Sequence, residues 1–78
     1  MPTVDNIGPY RFFFYAGDRN EPPHIHAERE GMKAKFWLDT VWLARNLGFS
    51  RTELNRIQRI VEENQERFLR SRDEYFHD

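Results

Sequence analysis

The chain has no cysteine. That excludes disulfides, thiolate metal sites and a cysteine nucleophile. No apolar run approaches the roughly 20 residues that a membrane-spanning helix needs. The N-terminus lacks the basic and then apolar pattern of a signal peptide. These absences read as a soluble, cytoplasmic protein. An excess of one charge is also missing: 12 Lys and Arg stand against 13 Asp and Glu, a net charge of -1. A free-standing nucleic-acid binder usually carries a clear basic excess, so only a local basic patch is left open. The 78 residues make one domain, 1–78. A chain this short buries only about 60% of its unfolded surface. Aromatic residues, by contrast, are plentiful: 7 Phe, 3 Tyr and 2 Trp must pack in a core or against a partner.

The chain is organised around Glu21-Pro22-Pro23-His24-Ile25-His26-Ala27-Glu28. The proline pair stiffens the approach to a strand. Alternate side chains of a strand share a face, so His24 and His26 point the same way. Glu30-Gly31 then fits a two-residue hairpin loop between strands 24–29 and 32–38. That loop sets Arg29 against Met32, Ala27 against Ala34 and Ile25 against Phe36 on an apolar face. Glu28 against Lys33, His26 against Lys35 and His24 against Trp37 make up the other face.

Upstream, Tyr10-Arg11-Phe12-Phe13-Phe14-Tyr15-Ala16 is an aromatic strand, apolar on both parities, as expected of a strand covered on both sides. Asp5 to Pro9 reads as a turn, and 17–23 as a polar loop. Met removal would leave Pro2 with a free amine able to act as a base, although a trimmed terminus is the plainer reading. Residues 41–47 suit a short helix or turn, with Asp39 as a possible N-cap and Gly48 past its end.

Ser50 and Glu53 form a capping box, stapled by Phe49 and Leu54. From there one long helix runs to about Tyr75 on the stripe Leu54, Ile57, Val61 and Phe68. Its length would be roughly 37 Å at 1.5 Å per residue, so its last turns should project beyond the sheet. The fold expected is α+β: a small antiparallel meander of three to four strands, the fourth from the N-terminal segment, packed on a long C-terminal helix. Tyr10, Phe12, Phe14 and Ala16 would face that helix. Phe13, Tyr15 and Trp37 would lie on the other side, too apolar to stay bare. That face should be covered by residues 41–47 or by a second protein.

The runs Tyr10 to Tyr15, Glu21 to His26, Lys33 to Leu38 and Leu43 to Phe49, together with the final helix, resemble a small bacterial family catalogued as domain of unknown function 4160. The resemblance implies stand-alone cytoplasmic proteins. They are often encoded beside another small protein, in an arrangement similar to toxin–antitoxin pairs. It brings no catalytic residues.

Three readings of the histidine face follow. In the first the chain is a protein-binding component of such a pair, docking a cognate small protein or a second copy through Phe13, Tyr15 and Trp37, since aromatics favour interface cores. In the second it is a metal-independent ribonuclease toxin acting on RNA. His24 and His26 would transfer protons, Lys35 and Arg11 would stabilise charge, and Tyr15 or Trp37 would stack on a base. In the third, His24 and His26 are half of a metal site that still needs other ligands, for which only Glu28, His77 or Asp78 offer themselves. No cofactor is expected. The plain alternative is that both histidines are ordinary polar residues of an outer sheet face. Arg56, Arg59 and Arg67 read as a solvated helix face.

Overall fold

A computed structural model describes residues 3–76, apart from the side chains of Thr3 and Asp18. Pro2, His77 and Asp78 lie outside the described residues. Five antiparallel strands follow one another as a meander: β1 (Thr3–Ile7), β2 (Tyr10–Phe13), β3 (His24–Arg29), β4 (Met32–Trp37) and β5 (Trp42–Leu47). The aromatic strand is shorter than expected: β2 ends at Phe13, and Ala16 is exposed, not in the core, because the chain leaves the sheet there in a 3₁₀ helix, Ala16–Asn20, that links β2 to β3. Two helices close the chain, α1 (Arg51–Glu63) and α2 (Gln65–Tyr75).

The central hairpin has the register that its loop dictates. All six pairs from His24 with Trp37 to Arg29 with Met32 are formed. Glu30 and Gly31 both have positive φ, at 51° and 81°, as a two-residue hairpin turn of matching twist requires. Tyr10, Phe12 and Phe14 meet Ile25, Ala27, Ala34, Phe36 and Leu38 on one face, and Ile57, Val61 and Phe68 of the helices seal it. Phe49 is buried beside them, and its ring meets that of Tyr10 edge-on at 6.1 Å.

The sheet is larger than the three to four strands expected. Asp5, Asn6 and Ile7 pair with Phe12, Arg11 and Tyr10, so only Gly8-Pro9 turns. Residues 42–47 are a strand, not a helix or a cover for the open face. Leu, Ala, Arg and Asn favour a helix or a turn locally, but the free edge of β4 offers a full ladder, and Ala44 is accommodated as a bulge opposite Lys35 and Phe36.

The single long helix is also corrected. Asn64 breaks it with φ -115° and ψ 16°. Its side-chain amide donates to Ile60 O at 2.8 Å, and its backbone N–H is shared between Ile60 O and Val61 O. A local side-chain bond of this kind competes with the helix ladder. Gln65 then donates to Leu38 O and Asp39 O, at 2.5 and 3.0 Å, fastening the break to the end of β4. The bend lets α2 follow the sheet: Phe68 packs on Phe12 at 5.2 Å, and Phe76 on Phe14 at 6.1 Å. The last turn therefore does not project free. Arg19 donates to Phe76 O, and Arg72 donates to Arg19 O and Glu21 O, clamping the 3₁₀ segment to α2. Arg67, read as part of a solvated helix face, pairs with Asp5 and Asn64.

Ser50 caps α1, its hydroxyl accepting from Glu53 N at 3.2 Å. The Glu53 carboxylate turns away from the cap. It accepts the Tyr10 hydroxyl at 2.9 Å and the Arg29 guanidinium at 3.1 Å. Burial and the adjacent Glu53 push the Tyr10 phenol above its ordinary value. A pKa raised by folding contributes stability that is complete below the unfolded value, near pH 10, and is lost as pH climbs through the folded one. Tyr10→Phe is expected to cost about 1–2 kcal/mol at neutral pH through the lost bond to a carboxylate. That difference should shrink as pH rises above about 10. Urea midpoints of both proteins across that range measure it. A difference that stays constant with pH would contradict the linkage.

Candidate functional site

The sheet face turned away from the helices carries the side chains singled out in the sequence. It is built by the parity of β2, β3 and β4, and by a loop that returns over it. Phe13 pairs with His26 across β2 and β3, and His26 with Lys35 across β3 and β4. Tyr15, just past β2, reaches sideways until its hydroxyl receives the Lys33 ammonium at 3.3 Å. Its ring lies 4.6 Å from that of His26 and 5.2 Å from that of Phe13.

Phe13 is thereby fully buried without any helix above it. His26 stacks on it at 5.3 Å, and the Arg11 guanidinium covers it at 4.2 Å. Arg11 is itself held by Glu28, at 2.5 and 3.1 Å. The expectation of Phe13 as an exposed partner contact is therefore corrected: it is the centre of a second small core. The covering comes from its own neighbours, because long and aromatic side chains on adjacent strands lie within reach across the pleat.

His24 is also interior, 1% exposed, with Nδ1 at 2.9 Å from Pro22 O. Its ring meets His26 edge-on at 5.0 Å and Trp37 at 5.7 Å. The histidines thus share a face but not an environment: His24 is sealed and His26 is partly open. Among the described residues, no group of three or more His, Asp or Glu is placed to hold a metal ion.

The open part of the face is a cleft of about 460 Å³. Its floor and walls carry His26, Tyr15, Trp37, Lys33, Lys35 and Arg45, with Leu47 at the β5 side. Glu21, brought over by the clamped loop, accepts from Lys35 at 2.6 Å. The Lys35 ammonium also sits 4.8 Å from the centre of the Trp37 ring. His26 and Lys35 are thus together in the cleft with Tyr15 and Trp37. His24 lies beneath them, and Arg11 lies outside the lining. Lys35 pairs with Glu21.

Glu21, Arg45 and Leu47 were not legible as site residues. The last two required β5. The available signal was Asp39-Thr40, a turn dipeptide between two apolar runs, which marks a hairpin as well as it marks a helix start. Beside the cleft, β5 exposes Trp42 by 64%, Leu43 by 40% and Leu47 by 51%. It is an edge strand of the sheet.

A family model described as a domain of unknown function (DUF4160) matches residues 10–71. No curated protein and no solved structure matches the chain. The matched stretch takes in β2 to β5, the cleft and most of both helices. Among the described residues, no helix is long and apolar enough to cross a membrane.

Proposed function

The chain belongs to the DUF4160 family of unknown function, and from that premise we propose that it is a protein-binding module, docking a cognate small protein along β5 and the adjoining cleft. The observation that carries this reading is the β5 edge. Three large apolar side chains, Trp42, Leu43 and Leu47, stand exposed on a strand whose outer side pairs with no strand among the described residues. Such an edge is a template for an added strand, and proteins normally blunt it. The opposite edge is blunted: β1 carries Asp5 and Asn6, a register shift between Thr3 and Asp5, and the pair of Asp5 with Arg67. The family resemblance supplies the kind of partner, a small protein encoded alongside in a toxin–antitoxin-like pair in the bacterial cytoplasm.

Co-expression with the neighbouring gene's product tests this. The wild type is expected to elute with it as one complex. A Leu43→Ser/Leu47→Ser variant should bind about a hundredfold more weakly, with unchanged circular dichroism and melting. Equal binding by the two proteins would rule out the edge.

A ribonuclease reading keeps one observation in its favour, namely that His26, Lys35, Lys33 and Tyr15 share the cleft. Among the described residues it has one accessible histidine, His26, where acid and base would each need a group. Expression of the wild type and His26→Ala alone should leave growth and total RNA intact in both cases. RNA cleavage by the wild type only would replace binding with catalysis.

A further inference from the structure

The cleft and the β5 edge meet along one line, and their chemistry describes what lies there. β4 and β5 pair Lys33 with Leu47 and Lys35 with Arg45. Lys33, Lys35 and Arg45 line the cleft, and among the described residues Glu21 is the single carboxylate residue of its lining. That carboxylate is engaged by Lys35. Lys33 meets a neutral phenol, and neither Lys33 nor Arg45 has a carboxylate partner among the described residues. Among the described residues, three cations against one carboxylate leave a local positive excess, on a chain whose net charge is -1.

Resting on the edge-docking reading above, we infer that the segment taken up by β5 is acidic. It is an extended stretch of the partner protein, added as a sixth strand. Alternate residues of a strand share a face. Asp or Glu at alternate positions would lie over the cleft and meet Arg45 directly, with Glu long enough to approach Lys33. The residues between them would be apolar and would cover Leu43. Charge-assisted bonds from a guanidinium to a carboxylate are the strong kind, and the backbone ladder supplies affinity that depends little on sequence.

The same features disfavour two other occupants. An RNA strand brings no N–H and C=O row to the edge and would leave the exposed Leu43 and Leu47 without an apolar partner. A second copy of this chain would offer β5 itself, whose residues Trp42–Leu47 include Arg45 and no Asp or Glu, so the cleft would gain a cation and no carboxylate.

The test is selection of a displayed library of random short peptides on the immobilised full chain. Amide exchange of the complexes and affinities for Arg45→Glu and Lys33→Glu would follow. Arg45 is exposed and Lys33 half-buried, so circular dichroism first confirms that both variants fold. Selected peptides should carry acidic residues at alternate positions and protect the amides of Trp42–Leu47. They should bind each charge-reversed variant about tenfold more weakly, and lose affinity as salt is raised. Peptides that protect β5 but show no acidic pattern would overturn the charge inference and leave edge docking standing. Peptides that protect no β5 amide, or none selected at all, would overturn both. A single-stranded RNA oligonucleotide that binds more tightly than the peptides, with the same dependence on Arg45, would assign the cleft to nucleic acid. Self-association through β5 in light scattering would assign the edge to a second copy.

Discussion

Phe68→Ala is expected to lower the stability of the fold by about 3–5 kcal/mol. The ring is fully buried, and it is the one buried residue of α2. It packs on Phe12 of β2 at 5.2 Å, so truncation both exposes apolar area and opens a cavity at the centre of the contact. The helix has little else to hold it as an isolated segment, because 11 residues are too few for a helix to persist in water by propensity alone. A domain of this size has a total stability on the order of 4–12 kcal/mol, so a single ring decides whether it stays folded. Urea unfolding followed by circular dichroism should show the midpoint falling steeply. Phe68→Leu, which keeps most of the volume, should recover all but about 1–2 kcal/mol. A loss below about 1 kcal/mol for Phe68→Ala would mean that α2 is held by the clamp of Arg19 and Arg72 alone.

Phe13→Ala is expected to cost about 3 kcal/mol, although the residue lies on the sheet face that no helix covers. Its ring is sealed by Arg11, Tyr15 and His26. Each of those contacts adds dispersion, and the guanidinium and imidazole lie against a π face, worth about 0.5–1 kcal/mol at such sites. Losing the ring also removes the surface on which Tyr15 and His26 pack, so the near-ultraviolet dichroism from the tyrosine should collapse before the helix signal does. An exposed docking residue would behave in the opposite way, leaving the melting temperature where it was and weakening a complex. Leu43 and Leu47 are expected to behave like that. The pair of experiments therefore separates the second core from the docking edge.

The two faces of the sheet show how far a sequence specifies its own site. Local rules settled the centre of the molecule. A two-residue loop with Gly31 fixed the hairpin register, and register fixed which side His26, Lys35 and Trp37 occupy. Parity placed Tyr10, Phe12 and Phe14 under the helices, and the Ser50 cap with the stripe of Ile57 and Val61 placed the start of α1. These features depend on residues near one another in the chain, where backbone geometry leaves few choices.

What remained undecided depended on partners distant in sequence. Residues 42–47 have no strong preference of their own, and they became a strand because β4 offered them an unpaired edge. Asn64 interrupts the helix with no proline or glycine to announce it, because Gln65 finds the carbonyls of Leu38 and Asp39 and Phe68 finds Phe12. Glu21 entered the cleft because Arg72 holds its loop, 51 residues away in the chain. The fate of Phe13 turned on whether Arg11 and Tyr15 folded back over it or stayed in solvent, and burying a large ring under neighbours already held on adjacent strands favours the first. The sequence by itself thus determined which residues share the open face of the sheet. Only the tertiary structure decided which of them are sealed inside it and which remain to meet a partner, because burial is settled by contacts between segments that no local pattern brings together.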